Sequence, residues 1–313
     1  MSIRVGLGLP ALHFSSSQTL WKWVDECENS LADSIWQNDR LISQEPFIES
    51  LSFMAALAGR TERIKFGMNV VVAPLRDPLV LAKQCASIDY LSNGRLLPAF
   101  GVGNAKALEF TRTDNKISHR GKWTNEVLDF LSKIWATDNV TYKGNFINYE
   151  NITIEPKPVQ NPLPIWIGGS SDAAIERTIK YGTGWISGVQ SPKQVKPVVE
   201  KIRQKALHYG KTIDEDHYGA GFSYRIGDWN EPIVQNAAKH FSRRFPNNDP
   251  KEFIAASMTM DISNQNKLNE FYEELKRLNV KIVRPDINEC FADFRINGDK
   301  FYYALGGIKA VGY

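Results

Sequence analysis

Strand-like and helix-like segments alternate along most of this chain, and that alternation limits its fold more than any other feature. Apolar β runs separated by amphipathic helical stretches predict a parallel sheet with crossover helices, not a sandwich. The expected strands span residues 3–9, 34–38, 64–72, 96–102, 165–168, 184–188, 218–225 and 280–285. Eight such strands predict a closed (β/α)8 barrel, and 313 residues suit one domain of this kind running 1–313.

Amphipathic helices are expected at 21–31, 46–60, 78–91, 124–137, 172–181, 192–209 and 264–278. Asp77-Pro78 and Ser191-Pro192 place a capping side chain ahead of proline at the first helical position. Asn93-Gly94 and Tyr209-Gly210 follow helices directly, where a left-handed cap suits asparagine or glycine. Two insertions interrupt the alternation. The first, 103–164 after strand 4, holds a polar segment, a helix and a hairpin around Lys143-Gly144-Asn145; the second, 245–262, follows strand 7. Both fall where lids over barrel sites arise.

The balance of 38 basic and 35 acidic residues, net +3, gives no electrostatic case for nucleic acid. No apolar run approaches the roughly 20 residues of a membrane span, and residues 1–10 are too short for a signal peptide. Cys27, Cys85 and Cys290 lack metal-type spacing and read as reduced packing residues of a cytoplasmic protein. His119, His208, His217 and His240 show no ligand spacing either, so no metal site is expected.

In a parallel α/β fold the carboxyl ends of the strands carry function. Two of these ends are Met68-Asn69-Val70 and Phe100-Gly101-Val102-Gly103-Asn104, whose glycines allow close approach of a ligand. A third, Gly168-Gly169-Ser170-Ser171, precedes the helix at Asp172, and backbone amides at a helix amino terminus form an anion site. The plainer alternatives are a strand-to-helix turn capped by Ser171 or Asp172, and turn chemistry at Asn69 and Asn104. His13 follows the first strand and is the candidate general acid or base, against the alternative of a surface-loop histidine. Arg225 and Arg284, at the ends of the seventh and eighth strands, are candidates for substrate or phosphate contacts or for a salt bridge. Arg120 and Glu126 read as a structural ion pair, and Trp36, Trp166 and Trp185 as core. Tyr149 and Phe222 also read as core, with the ring or substrate as the alternative.

Read in order, Gly59-Arg60-Thr61-Glu62-Arg63-Ile64-Lys65, Pro74-Leu75-Arg76-Asp77-Pro78 and Asp89-Tyr90-Leu91-Ser92-Asn93-Gly94-Arg95 resemble the bacterial luciferase-like monooxygenase family. Arg120-Gly121, Glu126, Tyr142-Lys143-Gly144, Pro156-Lys157-Pro158-Val159-Gln160, Pro162-Leu163-Pro164-Ile165-Trp166-Ile167-Gly168-Gly169 and Gly182-Thr183-Gly184-Trp185 continue that order. The resemblance implies a barrel holding reduced FMN or, in a sister branch, a deazaflavin coenzyme. It implies that Met68, Asn69 and Val70 line the isoalloxazine ring, near a non-proline cis peptide found in many relatives. Gly103 and Asn104 would approach the ribityl chain or phosphate, and Gly168, Gly169, Ser170 and Ser171 would hold the phosphate.

Asp39-Arg40 occupies the place where many members carry an acid followed by histidine. Arginine cannot shuttle protons near neutral pH, but it can hold a carboxylate, a sulfonate or a reduced-flavin anion by paired hydrogen bonds. Asp39 contacts the ring or pairs with Arg40. The resemblance thus implies a two-component monooxygenase using reduced FMN and dioxygen on a small organic substrate. The chain has no GxGxxG motif, so a separate flavin reductase would be a transient partner. One alternative is a deazaflavin-dependent hydride-transfer enzyme in which Asp39 or His13 moves a proton; another is a non-catalytic flavin-binding protein. Specificity is expected in loops 103–119 and 245–262. Relatives imply a homodimer through the early helices, and the aromatic tail 288–313 is expected across the barrel or at that contact.

Overall fold

A computed structural model describes residues 4–9, 11–12, 14–112, 117–221, 268–269, 272–273, 275–276, 280–283, 294–297 and 300–302. The chain divides into two compact units, Met1–Phe222 and Ser223–Tyr313. The first unit contains β1 (Gly6–Leu9), β2 (Ser34–Gln37), β3 (Lys65–Met68), β4 (Val71–Val72), β5 (Leu96–Leu97) and β6 (Ala99–Gly101). A hairpin follows, β7 (Val140–Lys143) with β8 (Asn148–Ile152), and then β9 (Trp166–Gly168), β10 (Gly184–Val189) and β11 (Tyr218–Gly221).

Two parallel ladders, β1-β2-β3-β5 and β4-β6-β9-β10-β11, run through these strands. Because β3 and β4 are halves of one expected strand and β5 and β6 halves of the next, the first seven expected strands stand beside one another in chain order. Proline has no N–H to give a ladder, and Pro98 separates β5 from β6 while its carbonyl still accepts from Trp166 N at 3.0 Å. The other interruption, at Asn69-Val70, is a cis peptide. The expected eighth strand appears in the second unit as β12 (Lys281–Val283). It pairs parallel with β14 (Lys300–Tyr302), itself antiparallel to β13 (Arg295–Asn297). The described residues 268–269, 272–273 and 275–276 are helical, within the expected helix 264–278.

Helix starts follow side-chain caps more closely than apolar periodicity. Helix α1 (Ser17–Glu28) begins ahead of the expected residue 21 because Ser16 and Thr19 form a capping box. Helix α2 (Ser50–Arg60) begins later than expected, capped by Glu49, whose carboxylate accepts from Leu51 N and Ser52 N. Helices α3 (Pro78–Leu91), α5 (Arg120–Ala136), α6 (Asp172–Tyr181) and α7 (Pro192–His208) lie at or near their expected places. The short α4 (Leu108–Thr111), inside the first insertion, was not expected.

Phe53, Phe66, Phe100 and Phe130 are fully buried, and burying each such ring stabilises the fold by about 1.5–3 kcal/mol. Trp36 and Trp166 lie 5.8 Å apart, with Gly67 and Gly184 opposite them; a Cβ there would come within 2.7 and 2.8 Å of the respective indoles. Cys27 and Cys85 are free and buried, and burial pushes their thiols up to about 11 and about 12. Among the described residues no helix is long and apolar enough to cross a membrane.

Candidate functional site

The ends of β2 and β4 are joined by a buried polar cluster. Asp39 Oδ1 accepts from Ser50 Oγ at 3.0 Å and from Arg76 Nη2 at 2.7 Å. Its Oδ2 accepts from Val72 N at 2.9 Å, so a carboxylate replaces a backbone partner for β4. Arg76 Nη2 also reaches Glu49 Oε1 at 2.7 Å. The Asp39 and Arg76 side chains are only 1% and 9% exposed, which makes the pair internal. Arg76 thus replaces the Arg40 partner considered from the sequence; Arg40 is exposed.

Just above this cluster the chain turns through Asn69 and Val70. Met68 is fully buried, and the Val70 side chain lies over Gly101 of β6 and Gly168 of β9. A Cβ at either glycine would come within 2.6 or 2.5 Å of a Val70 methyl carbon, so three strand ends meet here only because two lack side chains. Asn69 Nδ2 donates to the Ser187 carbonyl of β10 at 3.4 Å, linking the third strand to the sixth. Gly103 has φ +69°, with Phe110 and Val72 packed over it; Asn104 is exposed, and its Oδ1 accepts from Lys106 N at 3.0 Å. This bond is the turn chemistry weighed for Asn104 from the sequence.

The Gly168–Ser171 turn leads into α6. Gly169 has φ +108°, and its carbonyl accepts from Trp185 Nε1 at 2.7 Å, so a fully buried indole fixes the turn. Ser171 caps α6 by accepting from Ala174 N at 3.3 Å, while Ser170 Oγ donates to Gln190 Oε1 at 2.7 Å. The first N–H groups of α6 have no partner within the helix and point out of its end. Asp172 sits at the same end, where the Lys201 ammonium beside it lowers its pKa. The amides at the start of α6 are donors of the kind an anion takes, whereas the space that Gly103 and Gly168 leave is already filled by Phe110, Val72 and Val70.

His13, Arg225, Arg284, Cys290, Phe222 and the insertion 245–262 lie outside the described residues. The Arg120–Glu126 reading is corrected at the glutamate. Glu126 instead accepts from the backbone N–H of Asn145, Phe146 and Ile147 and from the Asn145 amide, gripping the turn of the hairpin. Burial opposes its ionisation, but those hydrogen bonds prevail and hold it below the usual carboxylate range. Ligand atoms of Asp214, Asp216 and His217 lie within 4.8 Å of one another. They stand at the opposite end of the strands, however, where Asp216 pairs with Arg4 at 2.7 Å and His217 Nδ1 lies 2.9 Å from the Thr183 carbonyl.

Sequence reasoning did not single out Arg76, Glu49, Glu109 or Gln190. For Arg76 the available signal is an arginine in a turn whose segment is otherwise apolar. Glu109 and Gln190 gave none, because their partners are backbone N–H groups and a serine distant in sequence.

A family model described as luciferase-like monooxygenase matches residues 14–293. The chain is 31% identical over 160 residues to an FMNH2-dependent dimethylsulfone monooxygenase of Pseudomonas fluorescens, covering 50% of this chain and 43% of that one. It is 25% identical over 226 residues to an F420-dependent glucose-6-phosphate dehydrogenase of Amycolatopsis mediterranei, covering 68% and 66%. The chain thus spans less than two thirds of the length of each of these two curated relatives. The crystal structure of monooxygenase RslO1 from Streptomyces bottropensis superposes with a TM-score of 0.68 at 20% identity, covering 77% of each chain. The fold is thus of the expected (β/α)8 class, with α4, α5 and the hairpin as the insertion after strand 4.

Proposed function

Because the chain belongs to the luciferase-like monooxygenase family, we propose that it is a flavin-dependent oxidoreductase, a two-component monooxygenase taking reduced FMN from a separate reductase. The observation that carries this reading is the seat made by Val70 over Gly101 and Gly168, continuous in chain with the Gly169 turn and the amino terminus of α6. The Met68, Asn69 and Val70 segment lines the ring, Gly103 and Asn104 approach the ribityl chain or phosphate, and Gly168, Gly169, Ser170, Ser171 and the α6 amides hold the phosphate. Reduced FMN supplies two electrons to dioxygen, one of whose atoms enters the substrate while the other leaves as water. The protein's part is to orient the flavin and keep the pocket dry.

Asp39 acts by position, since Ser50, Arg76 and Val72 already occupy both of its oxygens. His13 is the proposed proton donor or acceptor. The whole chain 1–313 is read as one catalytic domain, and as a homodimer through α2 and α3. The exposed side of α2 carries only Ser52, Ala55, Ala56, Gly59 and Arg60, and α3 exposes Val80, Lys83, Gln84, Tyr90 and Leu91. A monomer by light scattering at micromolar concentration would sink the dimer.

The similarity to an F420-dependent dehydrogenase supports a second reading, hydride transfer with a deazaflavin. Side-by-side anaerobic titration with reduced FMN and reduced F420 separates the two. Tighter binding of reduced FMN, followed by substrate-dependent oxygen uptake, is expected. Preference for the deazaflavin would replace the first reading with the second. Retention of oxidised FMN with no oxygen uptake would leave a non-catalytic flavin-binding protein.

A further inference from the structure

The loop after β2, residues 38–49, is tied to three neighbouring loops. Asp39 joins it to Val72 and Arg76, and the Pro46 carbonyl accepts from Leu12 N at 2.7 Å. On its far side Glu109 Oε1 of α4 accepts from Leu41 N at 3.1 Å and Ile42 N at 3.4 Å. Glu109 is 4% exposed, so this carboxylate holds backbone below the surface instead of facing water. It fixes the loop beside α4.

That anchoring has a consequence for the side chains. With their N–H groups turned toward Glu109, Leu41 and Ile42 remain 49% and 37% exposed, and Leu108, next to Glu109 in sequence, is 41% exposed. Arg40 and Lys106 flank these residues, are exposed, and make no ion pair with a described residue. Single exposed aliphatic residues are ordinary. Three of them, contributed by two loops held together by one buried carboxylate and bordered by two cations without an ion-pair partner among the described residues, form a surface of mixed apolar and positive character.

We propose that Arg40, Leu41, Ile42 and Leu108 form a substrate-recognition rim for a carboxylate carried on an alkyl chain. The Arg40 guanidinium takes the carboxylate through paired hydrogen bonds, and the aliphatic residues cover the chain. Glu109 is a positioning residue that keeps the two halves of the rim together. Binding at the rim stands alone; that the bound carboxylate is the substrate rests on the flavin reading of the adjoining strand ends.

The test is fluorescence titration of the full chain with dansyl-undecanoate, displaced by octanoate, butyrate or octan-1-ol. Octanoate is expected to displace best. Arg40→Ala should weaken octanoate about tenfold and leave octan-1-ol unchanged, the size of one charged hydrogen-bonded contact. The Leu41→Ser/Ile42→Ser variant should weaken both, as should Glu109→Ala. If Glu109→Ala does not fold, the two variants at exposed positions still decide. No probe binding, or displacement that both exposed-position variants leave unchanged, overturns the rim. So does loss of reduced-FMN affinity in Arg40→Ala, which would assign that side chain to the flavin. Reduced FMN titrated into the unmodified chain reports the flavin reading separately: no flavin binding with the rim variants behaving as expected would sink that reading alone.

Discussion

Asp39 and Arg76 form an internal ion pair of 2.7 Å that joins the end of β2 to the turn before α3, with Val72 N–H held by the second carboxylate oxygen. Removing one partner of such a pair strands the other charge out of water. We expect Asp39→Ala to cost about 3–5 kcal/mol in urea unfolding. An Asp39→Asn/Arg76→Met double variant should lose less than the sum of its single variants, because the two side chains act as a unit. Additive losses would show that the pair is not coupled.

Val70 is the shared obstacle at Gly101 and Gly168. Gly101→Ala and Gly168→Ala should each destabilise the protein by about 1–3 kcal/mol through overpacking. Adding Val70→Ala should recover stability in both backgrounds, because the same methyl groups are removed. Thermal melts of these four variants and of Val70→Ala alone check this, and a Val70→Ala that rescues neither would place the strain elsewhere.

Ser170 and Ser171 are adjacent but have different partners. Ser171→Ala removes the α6 cap and should cost about 1 kcal/mol of stability. Ser170→Ala leaves the helix intact and loses only the bond to Gln190, so on the flavin reading it should weaken cofactor binding by about 0.5–1.5 kcal/mol. Unchanged flavin affinity in Ser170→Ala would remove that hydroxyl from the phosphate site.

The motifs that carried the family resemblance are largely structural joints. Asp89, fully buried, accepts from Gln160 N and Nε2. Arg95 reaches Thr61 and the Ile64 carbonyl, and Glu126 holds the hairpin. Such residues are legible because each must meet a fixed backbone position, and they locate strands and helices well. Helices α3 and α6 begin and end where the sequence places them, since proline with aspartate, or serine before an acid, defines their starts. The polar partners at the strand ends were less legible. Asp39 meets Arg76, 37 residues away, and not its neighbour Arg40. Glu109 meets backbone 67 and 68 residues away, and neither pairing leaves a periodic or local signal.

Three carboxylates held low by backbone N–H groups predict a loss of stability in acid. Burial opposes ionisation at Glu28, Glu49 and Glu126, yet each lies below the ordinary 4.5. The Ile64, Glu62 and Arg63 N–H groups outweigh burial at Glu28, as do Ser52, Leu51 and Arg76 at Glu49 and the hairpin turn at Glu126. The native state therefore binds protons at these sites less readily than the unfolded chain does. Their contribution is complete above the unfolded value and is lost as pH falls through the lower native values. Urea midpoints should not change on account of these groups between about pH 7 and 5.5, and should fall progressively below about pH 4.5. Glu126→Gln should be less stable at neutral pH, because one carboxylate oxygen becomes an amide that cannot accept from the turn. It should also lose stability less steeply in acid; an acid slope equal to that of the unmodified chain would remove Glu126 from this linkage.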